Sequence, residues 1–209
     1  MVHSIVITQG FLAPPLYVHG TPMFLQLPKL GGLVGKEFTK GIVHVSETMF
    51  ASLVQVFSKI LTHIRQQMSC ADANYQTKNV SYDGVGHTAA VLNDFADIAG
   101  FNLAYAAFKK LGDPPLSPMG LEYLSADQFF FLSFAQTWCE DLKTNSGLML
   151  NRGPYKSGMD RVNQVLQNSK EFSDSWQCPK DSFMNPSMKC FPWKTVSSAE
   201  QEEFNQNQM

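Results

Sequence analysis

The sequence predicts a mainly α-helical (α+β) single domain with a small β element near its N-terminus, and three observations carry that prediction. Apolar residues recur three or four apart through Ile42, Val45, Met49, Leu53, Val56, Ile60, Ile64 and Met68, with no Gly or Pro between. The run "LSADQFFFLSFAQTWC" begins with Ser125 followed three residues later by Gln128, a capping-box spacing, and is then apolar on nearly every face. "SIVIT", residues 4–8, is β-branched and strand-like, and it ends at Gly10 and Pro14-Pro15.

Each element follows in order. "GTPMFLQLPKLGG" is punctuated by Pro22, Pro28 and Gly31-Gly32 and reads as loop. Helical period begins at Leu33, and residues 42–68 read as one long amphipathic helix or as two with a hidden break. "CADANYQTKNVSYDGVGHTA" is polar and loop-like; a second helix is expected over residues 90–110, stopped by Gly112 and Pro114-Pro115. The helix after Ser125 must be buried on all sides, since it offers no polar face to water. Residues 147–158 read as loop and 159–172 as a further helix. The domain is expected to end at residue 193, with the polar tail 194–209 disordered. No internal repeat is present.

Composition bounds the function. At 44% hydrophobic and 16% charged, 209 residues suffice for a packed core. A formal net charge of -2 gives no electrostatic reason to expect nucleic acid or an anionic membrane surface as a partner. No stretch approaches the roughly 18 apolar residues of a membrane span, and the first residues show no signal-peptide pattern, so neither export signal nor anchor is expected in the chain as it stands. Asn79-Val80-Ser81 is a glycosylation acceptor pattern. The four cysteines (Cys70, Cys139, Cys178 and Cys190) fit a disulfide scheme and equally fit four buried thiols, and none has the CxxC spacing of structural zinc.

The chemistry rests on "GKEFTKG". In an HExxH zinc helix two histidines at i and i+4 hold the metal, and the Glu between them is general base to zinc-bound water. Lys36, Glu37 and Lys40 keep that spacing with both histidines written as lysine. By itself the pattern is the ordinary charge decoration of a solvated helix face.

The flanks add to it. "SIVITQGFLAPPLY", "LGGLVGKEFTKGI", "NDFADIAGFNLAYAAFKK", "LSADQFFFLSFAQTWC" and "DRVNQVLQNSKEF…C…MNPSMKCFPW" occur in this order across residues 4–193. Together they resemble the neprilysin and endothelin-converting-enzyme family of zinc metallopeptidases, including its L-T-x-D-Q-L-F-F-L-x-F-A-Q-x-W-C motif. The resemblance implies a thermolysin-like peptidase C-terminal domain over residues 1–193, with the family's N-terminal helical lobe and N-A-Y-Y-type substrate strand outside the chain. It implies an extracellular or lumenal location. It also implies that the zinc ligands have been replaced, by Lys36 and Lys40 on the helix and by Asn93 where the family has Glu. An ammonium has no lone pair at neutral pH and an amide is a poor substitute for a carboxylate, so no zinc cofactor is expected.

Further roles follow from the same resemblance. Glu37 falls at the general-base position, Asp97 where an Asp orients the first zinc histidine, and Tyr155 where a His steadies the oxyanion. Arg161 falls where an Arg holds a substrate carbonyl; a buried Arg paired with a carboxylate is the competing reading. Cys70 would pair with Cys190, while Cys139 and Cys178 resemble cysteines that bridge to the region outside the chain. For the vacated metal position the expectation is an ion-pair cluster in which Lys36 and Lys40 face Glu37, Asp94 or Asp97; a metal shared by His44 and Glu47 is the rival. The other histidines (His3, His19, His63 and His87) read as surface or loop. Three functions compete: a non-catalytic protein that binds peptides or a protein partner covering the surface of the absent lobe, an active peptidase with unorthodox ligands, and a truncated product with no function of its own.

Overall fold

The computed structural model describes residues 4–49, 58–76, 85–112, 120–140 and 156–193. Among them the regular structure is helical. A 3-10 helix at Gln9–Leu12 precedes α1 (Met23–Gln26), which runs through a π-helical turn at Leu27–Gly31 into α2 (Gly32–Met49). Then come α3 (Ser58–Gln76), α4 (Val85–Leu111), α5 (Ala126–Gln136), α6 (Gly158–Gln167) and α7 (Lys170–Ser175).

Helix α4 is the axis of the core, and α2, α3, the π turn and α6 all pack on it. Its middle turns carry no exposed side, with Phe95, Ala96, Ile98, Ala99 and Phe101 all at 1% exposure or less. Small residues allow this. A Cβ added to Gly100 would stand 2.4 Å from the Lys36 backbone nitrogen and 2.5 Å from the Gly32 carbonyl oxygen. Only glycine there lets the α2 and α4 backbones cross so closely, and that crossing sets the site described below. At its far end α4 stops where Gly112 takes φ +78°, a left-handed conformation suited to glycine just past a helix.

Beyond the crossing the core is aromatic. Phe101, Tyr105 and Phe108 of α4 meet Phe130, Phe131 and Phe134 of α5, and Phe172 of α7 closes on Phe131. The Phe101–Phe134 rings lie edge to face at 4.8 Å and the Tyr105–Phe130 rings at 5.2 Å, geometries that add to simple area burial. Ser125 makes the expected capping box, accepting from the Gln128 amide while the Gln128 side chain accepts from the Ser125 amide. One edge of α5 is nevertheless open, because Leu132 is 42% exposed.

Three expectations are corrected and one alternative is decided. Residues 4–8 form no strand: Ile5, Val6 and Ile7 are exposed, and β-branching cannot make a strand without a partner to pair with. The stretch 23–31, expected as loop, is helical, with Pro22 just ahead of α1 and Pro28 at the start of the π turn, positions where a missing amide hydrogen is tolerated. Of the two readings open for 42–68, the second holds: α2 and α3 are separate helices that touch each other, as a single rod could not. The expected helix 159–172 divides at Asn168. There Ser169 caps α7 by accepting from the Phe172 amide, and the Asn168 amide group donates to the Gln164 carbonyl and accepts from the Cys190 amide.

That last contact belongs to a clamp. Cys70 of α3 is disulfide-bonded to Cys190, 120 residues away. Around the bridge, Phe191 donates its amide to Gln67, His63 of α3 bonds the Pro192 carbonyl at 3.0 Å, and the Trp193 indole donates to the Ala99 carbonyl. His63 is therefore a half-buried helix residue with a partner rather than a surface one. Cys139 and Cys178 are free thiols.

Candidate functional site

Charge has been drawn into the α2–α4 crossing. Helix α4 carries Asn93, Asp94 and Asp97 on buried positions, at 7%, 5% and 7% exposure, and α2 carries Lys36 at 4%. Carboxylates three residues apart on a helix are neighbours, and burying both without counter-ions would be costly. Three cations answer them.

The Lys36 ammonium lies 2.7 Å from Asp97 Oδ1. Arg161 of α6 grips the same carboxylate with two hydrogen bonds, Nε donating to Oδ2 at 2.8 Å and a terminal nitrogen to Oδ1 at 2.9 Å. Its guanidinium stacks on Trp138, 3.5 Å from the ring centroid, and the Lys36 ammonium is 6.0 Å from that ring. Lys156, just ahead of the Ser157 cap of α6, pairs with Asp94 at 2.9 Å and also donates to Gln164. Burial lowers the pKa of Lys36, while Asp97 pulls it back up and Arg161 reinforces the fall. Burial raises the pKa of Asp94, opposed by Lys156.

Not every expected residue joins. Lys40 sits one turn beyond Lys36 and pairs with Glu37 at 3.0 Å on the outer flank of α2, where the Glu37 side chain is 48% exposed. The cluster is thus Lys36 on Asp97 and Lys156 on Asp94, with Glu37 outside it. Arg161 takes the carboxylate-paired arrangement. Tyr155, Asn79, the His44–Glu47 pairing and the tail 194–209 lie wholly or partly outside the described residues. Lys156 and Trp138 were not singled out in the sequence; the start signal for α6, Ser157 followed by Asp160, gives no hint that the lysine before it reaches α4.

Beside the cluster opens a cleft of about 300 Å³, lined by Thr137, Trp138, Cys139, Glu140, Lys156, Gly158 and Arg161. Glu140 closes one side by accepting from the Gly158 amide at 2.8 Å. The Thr137 hydroxyl and the Trp138 indole nitrogen are buried without a hydrogen-bond partner among the described residues. Among the described residues no three His, Cys, Asp or Glu side chains gather as metal ligands. At the positions the resemblance aligns with zinc ligands, two ammonium groups and an amide do not fit the metal's need for nitrogen, sulfur or carboxylate lone pairs. Among the described residues no helix is long and apolar enough to cross a membrane.

The signature of peptidase family M13 matches residues 1–191. Rabbit (Oryctolagus cuniculus) neprilysin is 32% identical over 204 residues, covering 91% of this chain and 27% of the relative. Endothelin-converting enzyme 1 of Cavia porcellus is 31% identical over 209 residues, covering 91% of this chain and 26% of the relative. Human neprilysin is 31% identical over 204 residues, with 91% and 27% covered. The chain spans about a quarter of the length of these relatives.

Proposed function

Because this chain belongs to peptidase family M13, a family of zinc metallopeptidases, we propose that it is a non-hydrolytic member that binds peptides or a protein partner on the retained scaffold. The observation that carries the reading is the fate of the first ligand position. Lys36 points inward, but its nitrogen is a buried ammonium held at 2.7 Å by Asp97 and has no lone pair to offer a metal. Asn93 and Lys40 complete a set without one imidazole or carboxylate. Glu37 falls at the general-base position by the resemblance, yet it is tied to Lys40 on an exposed flank, and a general base there needs a metal-polarised water to act on. The binding half of the reading is supported by the cleft, whose lining sets the Trp138 side chain beside polar Thr137, Glu140 and Lys156. Arg161 contributes as a wall of that cleft, since Asp97 and Trp138 already engage its guanidinium. We place the protein on the extracellular or lumenal side, in keeping with the Cys70–Cys190 bridge.

The test joins two measurements on the 209-residue chain. Incubation with a library of peptides should give no cleavage even with added zinc, and calorimetry should find saturable binding among the same peptides. Cleavage that a chelator abolishes would sink the non-hydrolytic reading, and absence of both cleavage and binding would sink the binding one.

A further inference from the structure

Neutralising two buried carboxylates is a problem this fold has whether or not a metal is present, and the two lysines at ligand spacing answer it differently. Lys40 is half-buried and pairs with Glu37, the more exposed of the two, away from the buried carboxylates of α4. Lys36 is internal: its ammonium touches Asp97, faces the Trp138 ring, and shares both with the Arg161 guanidinium. Like charges are brought together here although each raises the cost of burying the other, which is tolerable only around a common anion. We infer that Lys36 is a built-in cation that takes over the structural task of a metal ion, joining α2 to α4 through Asp97, so that closure of the crossing is independent of any metal.

Three features support this. Gly100 brings the Lys36 backbone against α4, which fixes the ammonium over Asp97 rather than leaving it to wander on a long stem. Thr39, fully buried on the same face of α2, satisfies its hydroxyl on the Gly35 carbonyl at 2.8 Å and leaves Asp97 to Lys36. The neighbouring carboxylate, Asp94, is served separately by Lys156, so the Lys36 charge belongs to Asp97.

The inference rests on the non-hydrolytic reading, and its test separates the two. Lys36→Ala deletes the three outer methylenes and the ammonium, the heavy atoms of n-propylammonium. The variant should melt roughly 6 to 20 °C below the parent. Added n-propylammonium should raise the Tm of Lys36→Ala but not of the parent, and n-propanol at equal concentration and matched salt should not. Should Lys36→Ala fail to fold, Lys36→Met keeps most of the side-chain volume while removing the charge and its N–H donors, and the same loss is expected. Parental stability in Lys36→Met, or equal rescue by propanol and propylammonium, would overturn the inference, because packing rather than charge would then matter. A chelator should leave the parent's Tm unchanged; a fall would refute the metal-free reading itself, whatever the lysine variants show.

Discussion

Replacing Asp97 by Asn removes one negative charge and almost no volume from the point where two cations converge. The Lys36 and Arg161 nitrogens lie 2.7 to 2.9 Å from its oxygens, and the three side chains are 5%, 11% and 6% exposed, so water cannot stand in for the lost carboxylate. At these distances each pair is worth about 6 kcal/mol in gross Coulomb terms at an effective dielectric constant of about 20. Part of that offsets desolvation already incurred, and the Asn oxygen still accepts one hydrogen bond. Breaking a buried pair by removing one partner costs about 3 to 5 kcal/mol net, and that is the loss predicted for Asp97→Asn. For a chain of this size it corresponds to a fall in Tm of roughly 6 to 20 °C. Urea denaturation followed by far-ultraviolet circular dichroism, with parent and variant at pH 7, measures it. The matched control is Glu37→Gln, which disturbs a half-exposed pair and should cost less than about 0.5 kcal/mol. A loss below about 1 kcal/mol for Asp97→Asn, or equal losses in the two variants, would show that the buried cluster does not hold α2 and α6 to α4.

Other outcomes follow from the same geometry. Gly100→Ala places a methyl group 2.4 Å from the Lys36 backbone nitrogen, and neither backbone can yield without separating the helices; a loss of about 3 kcal/mol or more in the same denaturation assay is expected. Cys70→Ser with Cys190→Ser opens a crosslink spanning 120 residues and should cost about 2 to 5 kcal/mol, read as a lower urea midpoint than that of the unreduced parent.

What the sequence disclosed and what it hid divide along physical lines. The capping box at Ser125 and the Gly112 stop of α4 are local signals, and both elements form close to where they are expected. The reach of Lys156 to Asp94 is not local: it depends on where α6 docks, and no spacing along the chain encodes that. Arg161 could be read either as a peptide ligand or as a buried partner of a carboxylate, because only the fold shows Asp97 within its grasp. The division of labour between Lys36 and Lys40 was hidden for a similar reason. At i and i+4 they share a helix face, and the Gly35–Gly100 contact decides which of them is swallowed. The strand expected at residues 4–8 failed because β-branched composition describes a propensity, whereas a strand is a pairing.

The central claim, that a lysine-based ion cluster has displaced the metal chemistry of the family, is tested most directly by zinc titration of the purified, chelator-treated chain. A variant carrying Lys36→His, Lys40→His and Asn93→Glu serves as the comparison. The account predicts no saturable uptake by the parent chain and uptake by the variant. Stoichiometric zinc binding by the parent, lost on Lys36→Ala, would contradict it.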